Sequence, residues 1–181
     1  MSADARVESV CRDAEHQFSK RPCESIEIIA GIGVKGDAHA GEKVQHLSRV
    51  RANPDQPNLR QVHLIHSELF EELGAKGYAI KAGDLGENIT TREIDLLSLS
   101  RDTLLTIGES VVLRVTGLRN PCAQIDAFAP GLLEKVAIKT DHGIVRKAGI
   151  MTVAETSGSV KEGDVISVQP PSGPHSPLER V

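Results

Sequence analysis

Of the chain's three cysteines, Cys122 has the setting best suited to chemistry, within Val115–Asp126, VTGLRNPCAQID. Asn120-Pro121 ends a strand and begins a turn, and Pro121 fixes its own φ and donates no ladder hydrogen bond. Cys122 is therefore expected at a strand exit, held in a defined pose on a loop. Arg119 lies close by, with Arg114 and Lys135 elsewhere in the vicinity of the sequence, and a nearby guanidinium favours thiolate over thiol. A thiolate can attack an electrophile or ligate a soft metal. The competing reading is a small buried hydrophobe, which is what most free cysteines are.

A second group sits in GIGVKGDAHAGEK. Gly31, Gly33, Gly36 and Gly41 imply several positive-φ positions or close backbone approach. Asp37 and His39 are two apart, which puts both side chains on one side of an extended segment. Such a pair can bind a metal, orient a ligand or tie the loop to itself, the last being common for Asp and His in Gly-rich turns. The segment lacks G-x-x-x-x-G-K-[ST], and no apolar helix follows its glycines, so a dinucleotide site is disfavoured. A third loop, Ala82–Thr91, AGDLGENITT, holds polar groups at a strand edge. Asn88 there could bond a ligand through both halves of its amide, or close an Asx turn. His63 and His66 have an odd spacing that points them to opposite faces of a strand, and they read as structural or surface groups.

The elements that must carry these groups are mostly strands. Ser25–Ala30, Gln61–His66, Thr103–Ile107, Ser110–Val115, Gly143–Lys147 and Gly149–Glu155 read as strands, as does VISV after Glu162-Gly163-Asp164. Ser67 is expected to cap a short helix, ELFEEL, with Gly74 near its C-terminal end, and Gly131–Ile138 to form another helix behind Pro130. Val50–Asn58 reads as an exposed loop. Val7, Val10, Ala14 and Phe18 fall near helical spacing, so residues 1–24 are expected to be a short helix or partly ordered arm. The domain proper is expected over 25–169, with a Pro-rich flexible tail at 170–181.

One domain is the expectation for 181 residues. A net charge of −4, with three Phe, one Tyr and no Trp, disfavours nucleic acid as a partner. No apolar leader or long apolar segment is apparent, which predicts no membrane association. Cys11, Cys23 and Cys122 lack the spacing of a disulfide framework or C-x-x-C unit, which fits a reducing cytoplasm.

Together GVKGDAHAG, AGDLGENIT, RNPCAQID and GIMTVAETSGSVKEGDVISV resemble the MOSC family, named for the C-terminal domain of molybdenum cofactor sulfurase. The resemblance runs in the family's order from about Ser25 to Val168. It implies a mostly β, barrel-like fold with a few short helices, in a stand-alone, bacterial-type member. It also implies binding of the molybdenum cofactor, a molybdenum–pterin, and handling of the sulfur destined for it. Cys122 would be the catalytic sulfur acceptor or molybdenum ligand. Lys35, Asp37, His39, Gly86, Asn88, Thr90, Arg119, Gln124 and Arg146 would be the cofactor-binding residues, with Arg119 or Arg146 receiving the pterin phosphate. Some relatives reduce N-hydroxylated compounds.

The chain leaves no room for the pyridoxal-phosphate domain of fused sulfurases, so pyridoxal phosphate is not expected on it. Sulfur would come from an external donor, or electrons from an electron-transfer protein, since no ferredoxin-like cysteine cluster is present. Two alternatives are a non-covalent cofactor-delivery module, and a zinc-dependent hydrolase built on Asp37, His39, His46 and His63.

Overall fold

A computed structural model describes residues 3–181, so residues 1 and 2 of the expected arm lie outside it. The first half contains β1 (Arg6–Arg12), β2 (Arg21–Cys23), β3 (Ser25–Ile29), β4 (Gly33–Val34), α1 (Leu47–Ala52), β5 (Val62–His66), α2 (Glu68–Ala75) and β6 (Ile89–Arg92). A short 3-10 turn, Leu96–Ser98, leads to β7 (Leu104–Ile107), β8 (Val111–Leu118), α3 (Gln124–Phe128), α4 (Leu133–Val136), β9 (Ala137–Thr140), β10 (Gly143–Arg146), β11 (Ile150–Ala154), β12 (Gly158–Lys161) and β13 (Ile166–Gln169).

The fold is mostly β, as expected. Eight strands form one sheet in the order β13-β7-β8-β11-β5-β6-β1-β2, antiparallel except for the β5–β6 pair. This sheet curls until β1 meets the start of β13. Arg6 bridges Val165, the Val7 N–H donates to the Asp164 carbonyl, and the Gly163 N–H donates to the Val7 carbonyl. The alternating strand residues Leu105, Ile107, Val111, Leu113 and Val115 point inward together with Leu64, Ile89 and Ile150. A smaller sheet, β12-β3-β4, lays Ile26, Ile28, Val34 and Val160 onto the same core. Outside the curl, Leu69 and Leu73 of α2 pack with Ile65, Leu85, Ile125, Leu132 and Val136 in a second apolar cluster. That second cluster fixes α2 and α3 against the sheet, and α3 follows directly after Cys122.

Four expectations about local structure need correction. The helix expected near the N-terminus is a strand: Val7 and Val10 both face the core because a register shift between Val7 and Ser9 bulges β1. The helix expected over Gly131–Ile138 shrinks to α4, and from Ala137 the chain turns into the β9–β10 hairpin. The exposed loop expected at Val50–Asn58 begins inside α1. Ser67 does precede α2, but its hydroxyl makes no capping bond and is buried without a partner.

Residues 170–177 form neither helix nor strand, yet the chain end is tied down. The Arg101 N–H donates to the Ser176 carbonyl, the Leu118 N–H donates to the Glu179 carbonyl, and the Val181 N–H donates to the Leu118 carbonyl. Those last two bonds grip β8 where it hands over to the Cys122 turn.

Candidate functional site

At the exit of β8 the Arg119 N–H donates to the Gly149 carbonyl, and the Ile125 N–H donates to the Cys122 carbonyl as α3 begins. Cys122 is therefore at a strand exit, as its sequence implied, in a turn anchored on both sides. Its half-buried sulfur lines a cleft of about 470 Å³, and its thiol points to Gln124 Oε1 at 3.6 Å.

Of the residues implied by the motifs, His39, Gly86, Asn88, Arg119, Cys122 and Gln124 border this cleft. Gly86 has φ +88°, and a Cβ there would come within 2.6 Å of the Phe18 carbonyl oxygen, so a side chain would push the loop off its neighbour. Asn88 is not free to serve a ligand. Its Oδ1 accepts from the His63 N–H at 3.1 Å, and its Nδ2 donates to the Cys11 carbonyl and to Asp37 Oδ1, each at 3.2 Å. Thr90 is buried behind it and donates to Glu87 Oε1. Lys35 is exposed and pairs with Glu27 at 3.1 Å, away from the cleft. Arg146 does not line the cleft either; it donates to Asn120 Oδ1 at 3.4 Å.

Asp37 lies just beneath the cleft. Both its oxygens accept from Lys20 Nζ, at 2.8 and 2.7 Å, and both side chains are almost wholly buried. Burial alone would raise the carboxyl pKa, but the bonds from His39 and Lys20 prevail and hold it well below the usual range. Lys20 also reaches His39 Nδ1 at 3.4 Å. The pair from the Gly-rich loop thus ties that loop down and seats His39 at the cleft wall.

The cations are the larger surprise. Lys20, Arg49, Arg51, Arg60 and Arg119 all line the cleft, and among the described residues no carboxylate does. None of the four arginines has an ion-pair partner among the described residues. Arg119 is 7% exposed; it donates to the Leu85 carbonyl and sits 5.5 Å from the Phe18 ring centre. Burial lowers its pKa, opposed by the adjacent Cys122 and by Glu87. Burial, followed by repulsion from Arg49 and Arg119, pushes Arg60 down to about 10, again opposed by Cys122. Among the described residues Arg60 Nε is buried without a hydrogen-bond partner. Arg60 and Arg119 thus share the cleft with the Cys122 sulfur. Sequence reasoning missed Lys20, Arg49, Arg51 and Arg60; only their basic character was available to find them.

The zinc alternative fails on geometry. Among the described residues no three His, Cys, Asp or Glu side chains are arranged to hold a metal ion. Asp37 is engaged by Lys20, and His63 is buried against the Ala148 carbonyl at 2.8 Å.

Three histidines at this site set an acid limit on stability. Burial depresses the pKa of His39 and His63, and burial together with Arg60 brings His46 down to about 4. Each then holds fewer protons folded than unfolded below the unfolded value of 6.5. Stability should rise with pH across the window from about 4 to 6.5 and be lost on acidification. Urea midpoints measured across that window should show the rise, and His46→Gln should flatten it in part.

The MOSC domain family model matches residues 35–167. The chain belongs to the MOSC family. That family is associated with the C-terminal domain of molybdenum cofactor sulfurase. The MOSC match begins after Lys20, so one wall of the cleft comes from residues outside the matched stretch. Solved structures with the same fold include the YuaD protein from Bacillus subtilis, 23% identical, with a TM-score of 0.76 over 92% of this chain and 96% of that one. YiiM from Geobacillus stearothermophilus is 13% identical, TM-score 0.63, covering 91% of this chain and 75% of that one. YiiM from Escherichia coli is 14% identical, TM-score 0.61, covering 94% and 73%. At these identities the likeness is one of fold. No curated protein matches the chain. Among the described residues no helix is long and apolar enough to cross a membrane.

Proposed function

We propose that this MOSC protein binds the molybdenum cofactor in the Cys122 cleft, with Cys122 serving as sulfur carrier or molybdenum ligand. The observation that carries the reading is the charge of the cleft: five cationic side chains line it and no described carboxylate does, in a chain of net charge −4. Unpaired guanidiniums in a partly dry cleft cost stability unless an anion joins them, and their planar forks suit a phosphate.

The donor set fits the group. Arg49 and Arg60 would hold its phosphate, with Arg60 Nε, buried and unpartnered, as a ready donor. Cys122 offers one soft sulfur for molybdenum or for a transferable sulfur. When bound, the cofactor supplies the metal-centred redox chemistry that the chain lacks. The chain's own part is to bind and orient: Arg119 holds positive charge against the sulfur, Gln124 Oε1 accepts a hydrogen bond from the thiol, and Phe18 shields Arg119 from water. Sulfur or electrons would come from an external donor, and with electrons supplied the same site would serve reduction of N-hydroxylated compounds.

The test is to load purified protein and its Cys122→Ser variant with the cofactor and to measure bound molybdenum, bound pterin and the mass of the polypeptide. Both chains should fold alike, because a half-buried sulfur becomes an oxygen. Wild type is expected to retain molybdenum and pterin, and the variant to lose molybdenum or the carried sulfur. Equal retention of everything would instead make the protein a non-covalent delivery module, with the arginines carrying the binding. Retention of nothing by either would overturn the reading.

A further inference from the structure

We propose that thiosulfate, a small inorganic sulfur anion, loads sulfur directly onto Cys122 without a protein donor; this rests on the sulfur-carrier reading above. The Cys122 sulfur is half-buried in an open cleft that Arg60 and Arg119 also line. Arg119 is 7% exposed; it donates to a backbone carbonyl, lies against a ring face, and is in no ion pair among the described residues. Arg60 keeps a buried Nε with no acceptor. A neutral donor would gain nothing from these groups, and a cationic one would be repelled. A tetrahedral oxyanion gives each guanidinium oxygens to bond. The volume near 470 Å³ leaves it ample room beside the thiol.

The reaction balances within the two partners. The Cys122 sulfur attacks the outer sulfur of thiosulfate, a sulfur–sulfur bond to Cys122 forms, and the bond from that sulfur to the sulfonate sulfur breaks. The bonding pair leaves with sulfite, and the thiol proton ends on the new persulfide or in solvent. No outside oxidant or reductant is needed, because the outer sulfur is transferred at the oxidation level a persulfide requires. Negative charge grows on the departing sulfite beside guanidiniums already in place, the arrangement that lowers such barriers. The site is also selective within the chain. Cys11 is buried with its thiol raised to about 12, chiefly by that burial, and Cys23 is turned toward the Val10 carbonyl.

Wild type, Cys122→Ser and Arg60→Gln would each be incubated with thiosulfate, reading released sulfite and the peptide that gains one sulfur atom. Wild type should release one sulfite for each sulfur gained, all of it at Cys122. Cys122→Ser should do neither, and Arg60→Gln should react on the order of 10²-fold more slowly. No sulfur gained by folded wild type, equal gain in Cys122→Ser, or an unchanged rate in Arg60→Gln would each overturn the proposal. A parallel arm offers a persulfide-bearing protein in place of thiosulfate. If that donor loads Cys122 and thiosulfate does not, the direct reaction falls and the carrier reading stands; if neither loads it, both fall.

Discussion

Lys20→Met is expected to destabilise the protein by about 3–5 kcal/mol, the cost of removing one partner from a buried ion pair. Lys20 and Asp37 have 4% and 0% of their side-chain surface exposed, and the ammonium bonds both carboxylate oxygens. Methionine fills much the same volume but leaves the carboxylate with Asn88 Nδ2, the Asp13 and His39 N–H groups and the His39 ring at 3.7 Å, none of them a fixed full charge. Urea unfolding with an unchanged m-value would report the loss as a lower midpoint. Adding Asp37→Asn to the variant should recover part of it, since the uncompensated charge then disappears. The pH dependence has a definite sign. The folded pKa of Asp37 is depressed, so its contribution is present above the unfolded value of 3.8 and is lost as pH falls through the folded one. Without Lys20 the depression shrinks, and the variant should lose less stability than wild type on acidification below about pH 4. A variant as stable as wild type at neutral pH would mean that water already enters beneath the cleft.

The second large effect has two parts of opposite kind. Arg60→Gln should weaken binding of a phosphate-bearing pterin by roughly 10- to 100-fold, the loss of one charge-assisted contact. The empty protein, in contrast, should be no less stable and should melt at the same or a higher temperature. The reason is that Arg60 repels Arg49 and Arg119, and among the described residues no carboxylate lines the cleft to offset this. Thermal shift measured with and without inorganic phosphate separates the two parts. Wild type should gain more stability from phosphate than the variant, and the difference should shrink as salt is added. If Arg60→Gln unfolds the protein instead, Arg60 is a structural residue and the cleft has lost its main anion donor.

These effects also show where the sequence was readable. Cys122 and Arg119 announced themselves because Asn120-Pro121 is a local signal, and a turn of that kind forms wherever the chain around it leads. The positive φ of Gly31, Gly33, Gly36 and Gly41 was foreseeable for the same reason. Inner strands such as β8 and β11 were legible from their alternation or their unbroken apolar runs. The N-terminal strand was not. A bulge between Val7 and Ser9 inserts one residue, so Val7 and Val10 face the core at a spacing of three, which imitates a helix. Lys20 was invisible because burying a lysine depends wholly on a partner, and Asp37 is brought to it by the fold. Arg49, Arg51 and Arg60 lie in and beyond a stretch that looks like a solvated face. Only the path of the chain from α1 to β5 turns them toward Cys122. Arg146, by contrast, looked suitable on charge, yet β10 leaves it bonded to Asn120 and outside the lining of the cleft.

The seam between β1 and β13 bears on how the molecule can be made. Val7 exchanges backbone hydrogen bonds with Gly163 and Asp164, so the curl closes only when the two ends of the chain meet. A ribosome emits the first strand long before the last, and at about 5–20 residues per second it waits on the order of ten seconds or more for its neighbour. Through that interval β1 can pair along its length only with β2 and, later, β6. Folding should therefore be slow and end-dependent, as expected for pairings distant in sequence. Newly made chains would be most prone to associate through that unmatched edge while synthesis is still under way.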